Sequence, residues 1–273
     1  MRIVALLAVR NEELYLARCL EHLLTQGIEV HVIDHGSTDA TAAIAREFAR
    51  RGGVTVESFP YRGVYEWGRI LQRKEELAAR LDAGWFIHHD ADEIREAPPP
   101  WRTLAEGIAA VDAEGYTAID FAEVVFTPTG PEQSFEGRDY VAEMRHYYPF
   151  APRPEHRVNA WKNLGVPVDL TSSGGHRVTF PGRRLYPRPF ILRHYVFLSL
   201  AHLCRKYGER TFDPAELARG WHGQRAAFRP EGVRFPPREF FKVLGPEGCF
   251  DLSRPQRQHF FLVPPPAGEA TAR

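Results

Sequence analysis

Short apolar runs and amphipathic stretches alternate along the first 100 or so residues. Ile3–Val9 is apolar without polar alternation, as expected of a parallel strand covered on both faces. Asn11 offers a helix N-cap, and Glu12 and Glu13 suit the positive end of the helix that follows. Leu16, Cys19, Leu20, Leu23 and Leu24 then share one helical face, and Gly27 closes the helix. Residues 30–33 predict a second strand, ended by Asp34-His35-Gly36-Ser37-Thr38-Asp39. Thr38 or Asp39 caps a second helix that carries Ile44, Ala45, Phe48 and Ala49, and Gly52-Gly53 breaks it before a third strand at 54–59. Trp67, Ile70, Leu71, Leu77, Ala78 and Leu81 outline a third helix. Trp85–His89 is a fourth strand, with Asp90-Ala91-Asp92-Glu93 at its carboxyl end.

Such alternation implies right-handed crossovers and an α/β fold with a largely parallel sheet. Ligands of these sheets bind beyond the carboxyl ends of the strands, and Asp34 and Asp90 both fall on that edge. Beyond Pro98-Pro99-Pro100 the pattern changes: residues 101–111 read as a helix, 117–126 as a strand and 197–207 as a helix. The stretch between them is rich in Pro, Gly and aromatics.

Composition narrows the class without naming a partner. The chain has 273 residues, 44% hydrophobic and 26% charged, enough to bury a large core. Equal numbers of basic and acidic side chains (35 each) leave no global field for nucleic acid or an anionic membrane. Cys19, Cys204 and Cys249 are far apart and odd in number, which favours a reducing compartment over a disulfide framework. The first apolar run is short, lacks a small-residue cleavage site and leads straight into Arg10-Asn11-Glu12-Glu13, so it reads as a strand and not as a leader. No stretch approaches the ~20 apolar residues of a membrane span. A soluble, cytoplasmic chain without a transmembrane segment is expected.

Alternate carboxylates just past a buried strand can share a divalent cation with substrate phosphates, which is how Mg2+ and Mn2+ commonly bind. The same Asp-x-Asp spacing also suits an ordinary acidic surface turn. Its place on one sheet edge with Asp34 favours the functional alternative.

Three motifs occur in order: Val9-Arg10-Asn11-Glu12 entering a helix, then Asp34-His35-Gly36-Ser37-Thr38-Asp39-Ala40-Thr41, then Asp90-Ala91-Asp92-Glu93. Together they resemble family 2 of the GT-A glycosyltransferases, over about the first 100 residues. Gly174-Gly175-His176 and residues 190–195 resemble, less specifically, a later region of some bacterial members. The resemblance implies a GT-A-type nucleotide-diphospho-sugar transferase fold that takes a UDP- or GDP-sugar donor and a sugar, lipid or small-molecule acceptor. Val9, Arg10, Asn11 and Glu12 would line the nucleotide pocket and Asp34 would accept a hydrogen bond from the base. Asp90, with Ala91 beside it, would meet the ribose or a metal-bound water. Asp92 would bind Mn2+ or Mg2+, with His194 completing the metal site at the end of a strand. Arg73 lies where the family often has a basic residue near the diphosphate, although a solvated helix position explains it equally well.

An inverting transfer also needs a base for the acceptor hydroxyl. Glu123, Asp169 and His176 are the candidates. Glu123 leads, because its apolar strand should raise its pKa, unless one of the many arginines pairs with it. Trp161, Tyr147, Tyr148, Tyr195 and Trp221 could stack on a sugar, though most read as packing. The expected organisation is a catalytic domain at 1–195, with a nucleotide-binding half (1–100) and an acceptor-side half (101–195). A helical extension at 196–263 and a disordered tail at 264–273 follow.

Three other functions fit parts of the pattern. A haloacid-dehalogenase-type phosphatase also places Asp-x-Asp after an apolar strand, but usually the first one. A noncatalytic nucleotide- or sugar-binding module would keep the fold, and intact Asp90 and Asp92 speak against it. A nucleotidyltransferase would want a Gly-rich phosphate loop where Arg10-Asn11-Glu12-Glu13 stands.

Overall fold

The computed structural model describes residues 1–245 and 248–262, so the tail expected at 264–273 and the last residue of the expected extension lie outside the described residues. The strands are β1 (Ile3–Val9), β2 (Glu29–Asp34), β3 (Val54–Ser58), β4 (Trp85–His89), β5 (Glu93–Glu96), β6 (Ala118–Ile119), β7 (Phe121–Phe126), β8 (His146–Phe150), β9 (Ala160–Lys162), β10 (Phe190–Tyr195) and β11 (Lys242–Val243). The helices used below are α1 (Leu16–Thr25), α2 (Thr41–Arg51), α3 (Trp67–Arg80), α4 (Leu104–Ala113), α5 (Tyr140–Glu143) and α6 (Leu200–Gly208).

Residues cluster into two compact units. One comprises Met1–Arg62, Trp67–Val124 and Arg153–His194; the other comprises Gly63–Glu66, Val125–Pro152 and the chain from Tyr195 onward.

The first unit is built on a six-stranded sheet in the order β3-β2-β1-β4-β9-β6. The first four strands are mutually parallel, and β9 and β6 complete the sheet in antiparallel fashion. This is the mostly parallel α/β arrangement expected from the apolar runs. Strand β1 sits centrally, which is why its side chains are nearly all buried and need no polar alternation. Helix α1 buries Leu16, Cys19, Leu20 and Leu23, the expected stripe. Helix α3 buries Ile70, Leu71, Leu77 and Ala78, with Lys74 among them. Helix α4 opens on a capping box in which Thr103 and Glu106 bond each other's backbone N–H groups.

Two expectations about helix starts and strands need correction. Asn11 does not cap α1, which starts at Leu16. It takes a positive φ of 54° and accepts a hydrogen bond from Thr38 N at 2.8 Å instead. The strand expected at 117–126 is broken into β6 and β7 because the Asp120 carboxylate accepts from Phe121 N (3.0 Å) and Arg157 N (2.9 Å).

The second unit has an aromatic core formed by Tyr148, Phe150, Phe197, Tyr207, Phe241 and Phe261. Strand β8 pairs antiparallel with β11 there, and the His259 ring stacks on Phe150 with centroids 4.0 Å apart. Among the described residues no helix is long and apolar enough to cross a membrane.

Candidate active site

The parallel register places Asp34, the last residue of β2, opposite Val9, the last residue of β1. His35 N then donates to Val9 O at 2.8 Å and Ser37 N donates to the Asp34 carboxylate at 3.1 Å. The two loops after these strands are laced together. Asn11 N donates to Ser37 Oγ (3.1 Å), Glu12 N to Thr41 Oγ1 (2.7 Å) and Ala40 N to the Glu13 carboxylate (2.9 Å). Arg10 donates to His35 O at 2.9 Å and lies over the Tyr61 ring at 3.3 Å. Gly36 must be glycine here: its φ is +65° and a Cβ would sit 2.9 Å from that of Tyr61. The motifs at 9–12 and 34–41 thus form one platform at the carboxyl edge of the sheet.

Strand β4 delivers the second group of carboxylates. Leu7 of β1 pairs with His89, so Asp90 emerges on the same edge as Asp34. Asp90 is 35% exposed, whereas Asp92 is buried. Antiparallel pairing of β5 with β10 puts His194 opposite Glu93, and from there its Nε2 reaches Asp92 Oδ2 at 3.3 Å. The two residues expected to hold a metal are therefore side by side.

The other nitrogen of His194, Nδ1, lies 2.6 Å from Glu123 Oε1. Glu123 also accepts from Arg157 Nε (2.7 Å) and Nη2 (3.0 Å), and His156 Nε2 stands 3.3 Å from it. Burial alone would raise the Glu123 pKa, but Arg157, His156 and His194 outweigh it and hold the carboxyl well below its ordinary value. The expectation of a raised pKa is therefore corrected. A carboxylate engaged in this way stays ionised and is unsuited to take a proton from an acceptor. Burial opposes charge on His194 as well, yet Asp92 and Glu123 bring its pKa up to about 10.

The remaining candidates separate cleanly. His176 stacks on His156 with centroids 4.8 Å apart, and burial together with Arg157 lowers its pKa, so it is neutral. Asp169 organises its own loop, accepting from Ser172 N at 2.8 Å and exchanging backbone bonds with Thr179. Arg73 is not among the carboxylates of β4. Its guanidinium grips Glu57 through two bonds (2.8 and 2.7 Å) and Glu76 through a third (2.7 Å). Trp161, Tyr147, Tyr148 and Tyr195 are fully buried core residues, and Trp221 is half-buried.

Sequence reasoning missed Lys74 and Arg157. Lys74 is completely buried, with Nζ 3.0 Å from His88 Nδ1, 3.1 Å from His89 O and 4.0 Å from Asp90 Oδ1. Burial pulls its pKa down to about 8 against the pull of Asp90 and Glu93. The signal was present, since Lys74 occupies a slot in the apolar stripe of α3 where a lysine has no ordinary reason to be. Arg157 lies in an irregular, Pro-flanked stretch and carries no periodic signal.

Among the described residues no cluster of three or more His, Cys, Asp or Glu forms a ready metal cage. The donor set nevertheless fits a divalent cation that shares its shell with a diphosphate. Asp92 and His194 face one another, and the far nitrogen of His194 is already on a carboxylate, a usual support for a ligating imidazole.

The fold is an α/β arrangement in which a largely parallel sheet carries strand-end carboxylates on one edge. The sequence model of glycosyl transferase family 2 matches residues 5–93, which carry the whole platform and the Asp90-Ala91-Asp92-Glu93 turn. Over this segment the chain is similar to glycosyl transferase family 2. The lipopolysaccharide core biosynthesis glycosyltransferase LpsC of Rhizobium meliloti (strain 1021) is 34% identical over 84 residues, 30% of this chain. The match spans 28% of the length of that relative. Among solved structures, S. aureus TarS 1–349 in complex with UDP-GlcNAc gives a TM-score of 0.47 at 12% identity, covering 71% of this chain and 58% of that one. Glucosyl-3-phosphoglycerate synthase from Mycobacterium tuberculosis, in complex with Mn2+, UDP and phosphoglyceric acid, gives 0.32 at 22% identity, covering 45% and 43%.

Proposed function

We propose that the chain transfers a sugar from a nucleoside-diphosphate sugar, of the UDP or GDP type, to a sugar, lipid or small-molecule hydroxyl, with inversion at the anomeric carbon. The observation that carries this is the convergence of Asp34, Asp90 and Asp92 on one sheet edge, inside the segment that matches the family. Asp34 is an acceptor-only group and suits the imide N–H of a base. Asp90, more exposed and with Lys74 behind it, faces the ribose. Asp92 and His194 would hold Mn2+ or Mg2+, which when bound supplies Lewis-acid neutralisation of the leaving diphosphate.

The residues of the chain divide the remaining work. Lys74 sets a positive charge beneath the carboxyl end of β4. Glu123 is held by Arg157 and His194 instead of being offered as a nucleophile, consistent with direct displacement and hence inversion. His176 does not take over as base, because burial and the nearby Arg157 disfavour its protonated form. A phosphatase is not favoured, because Asp90-x-Asp92 lies in the segment that the family 2 model matches and follows the fourth strand.

Calorimetric titration with UDP and GDP tests the site. One of the two should bind more tightly with Mn2+ than with chelator. Asp34→Ala should weaken that binding by about 1.5–3 kcal/mol, the value of a hydrogen bond to a charged group. Unchanged affinity in Asp34→Ala would reduce Asp34 to a turn residue that only holds Ser37 N.

A further inference from the structure

The Glu123–Arg157 pair asks for a purpose other than stability. Both residues are buried, and replacing a buried ion pair by apolar side chains is often neutral or stabilising. What the pair does geometrically is hold a ring. Arg157 bonds both carboxylate oxygens of Glu123, so the carboxylate cannot swing. Arg157 is itself anchored through its backbone N–H to Asp120, the residue that breaks β6 from β7. The Glu123 oxygen Oε1 then meets His194 Nδ1 at 2.6 Å, and the opposite corner of the imidazole is turned to Asp92 at 3.3 Å.

We propose that Glu123, clamped by Arg157, is a positioning residue that fixes the His194 ring with Nδ1 as donor and Nε2 toward Asp92. The proposal builds on the assignment of Asp92 and His194 to a divalent cation. Glu123 touches neither the donor sugar nor the acceptor in this arrangement; it acts through His194. A carboxylate on the far nitrogen keeps the proton on Nδ1, leaves Nε2 as the ligating corner and increases its basicity. Glutamine is a poor substitute. Its single acceptor oxygen would have to serve both Arg157 and His194, so one of the two must face an N–H group.

The test uses the full chain with Glu123→Gln, Glu123→Asp and, in case an unpaired Arg157 prevents folding, the double variant Glu123→Leu/Arg157→Leu. Mn2+ affinity is measured without nucleotide by the paramagnetic resonance of the free ion. Independently, the Nδ1–H resonance of His194 is followed in 15N-histidine-labelled protein, assigned by its loss in His194→Gln. Glu123→Gln and the double variant should bind Mn2+ roughly 10–100-fold more weakly, as loss of an outer-shell partner does. They should also lose the downfield Nδ1–H signal, and Glu123→Asp should restore part of both. A folded Glu123→Gln or double variant with wild-type Mn2+ affinity and an unchanged signal would overturn the proposal. If His194→Gln leaves Mn2+ affinity unaltered, the metal assignment fails and the resonance alone decides: its loss in Glu123→Gln upholds the positioning role, its persistence overturns it.

Discussion

At the scale of single residues, adjacent basic side chains on α3 have opposite fates. Arg73 points to Glu57 and Glu76, partly in solvent. Lys74, one position on, is turned inward under His88, His89 and Asp90. Arg73→Ala should cost no more than about 1 kcal/mol of stability, as partly exposed ion pairs do, and leave nucleotide affinity unchanged. Lys74→Met keeps the length of the side chain and removes the charge behind Asp90, so nucleoside-diphosphate affinity should fall measurably where Arg73→Ala leaves it unchanged. Calorimetry on the two variants would expose a reversal, which would move the diphosphate site toward Arg73. The aspartates were legible in the sequence because each follows an apolar strand, where backbone direction fixes the edge on which it emerges. Glu123 was legible as a candidate but not in its role: its pKa depends on Arg157, thirty-four positions away in an irregular stretch. Lys74 was legible in principle, as a charge inside an apolar stripe, and was passed over in favour of its neighbour.

At the scale of elements, apolar periodicity located the first four strands and the three helices between them, with ends shifted by a residue or two except at α1, which starts at Leu16 and not just after Asn11. Ends depend on side-chain bonds that periodicity does not encode. Asn11 looks like a cap by residue type, yet its amide is taken by Thr38 in the neighbouring loop. The Asp39 carboxylate does bond Thr41 N, the first residue of α2, at 2.9 Å. Thr103 gives a cleaner test of capping, since its box with Glu106 belongs to α4, outside the carboxylate platform. Thr103→Ala should lower stability by about 1 kcal/mol in urea unfolding while nucleotide binding is unaffected. A loss of binding in a normally stable Thr103→Ala variant would mean that α4 contributes to the site.

At the scale of the whole molecule, the family match ends at residue 93, whereas the first unit draws also on residues up to 124 and on 153–194. The segments outside the match bring His194 to Asp92 and set Glu123 and Arg157 behind it, so the chemistry proposed here is assembled from distant parts of the chain. Residues 125–152 join the chain from Tyr195 onward because Tyr148 and Phe150 pack with Phe197 and Phe261, an aromatic association with no sequence period to announce it. In the proposed function Asp34, Asp90 and Asp92 form a nucleotide-sugar site that needs a divalent cation for turnover. The most direct test is release of nucleoside diphosphate from a set of UDP- and GDP-sugars, with Mn2+ or with chelator, by the wild-type chain and by Asp92→Asn. The wild type should turn over at least one donor with Mn2+, lose that activity in chelator, and lose most of it in Asp92→Asn. Equal release in chelator, or an Asp92→Asn chain as active as wild type, would contradict it.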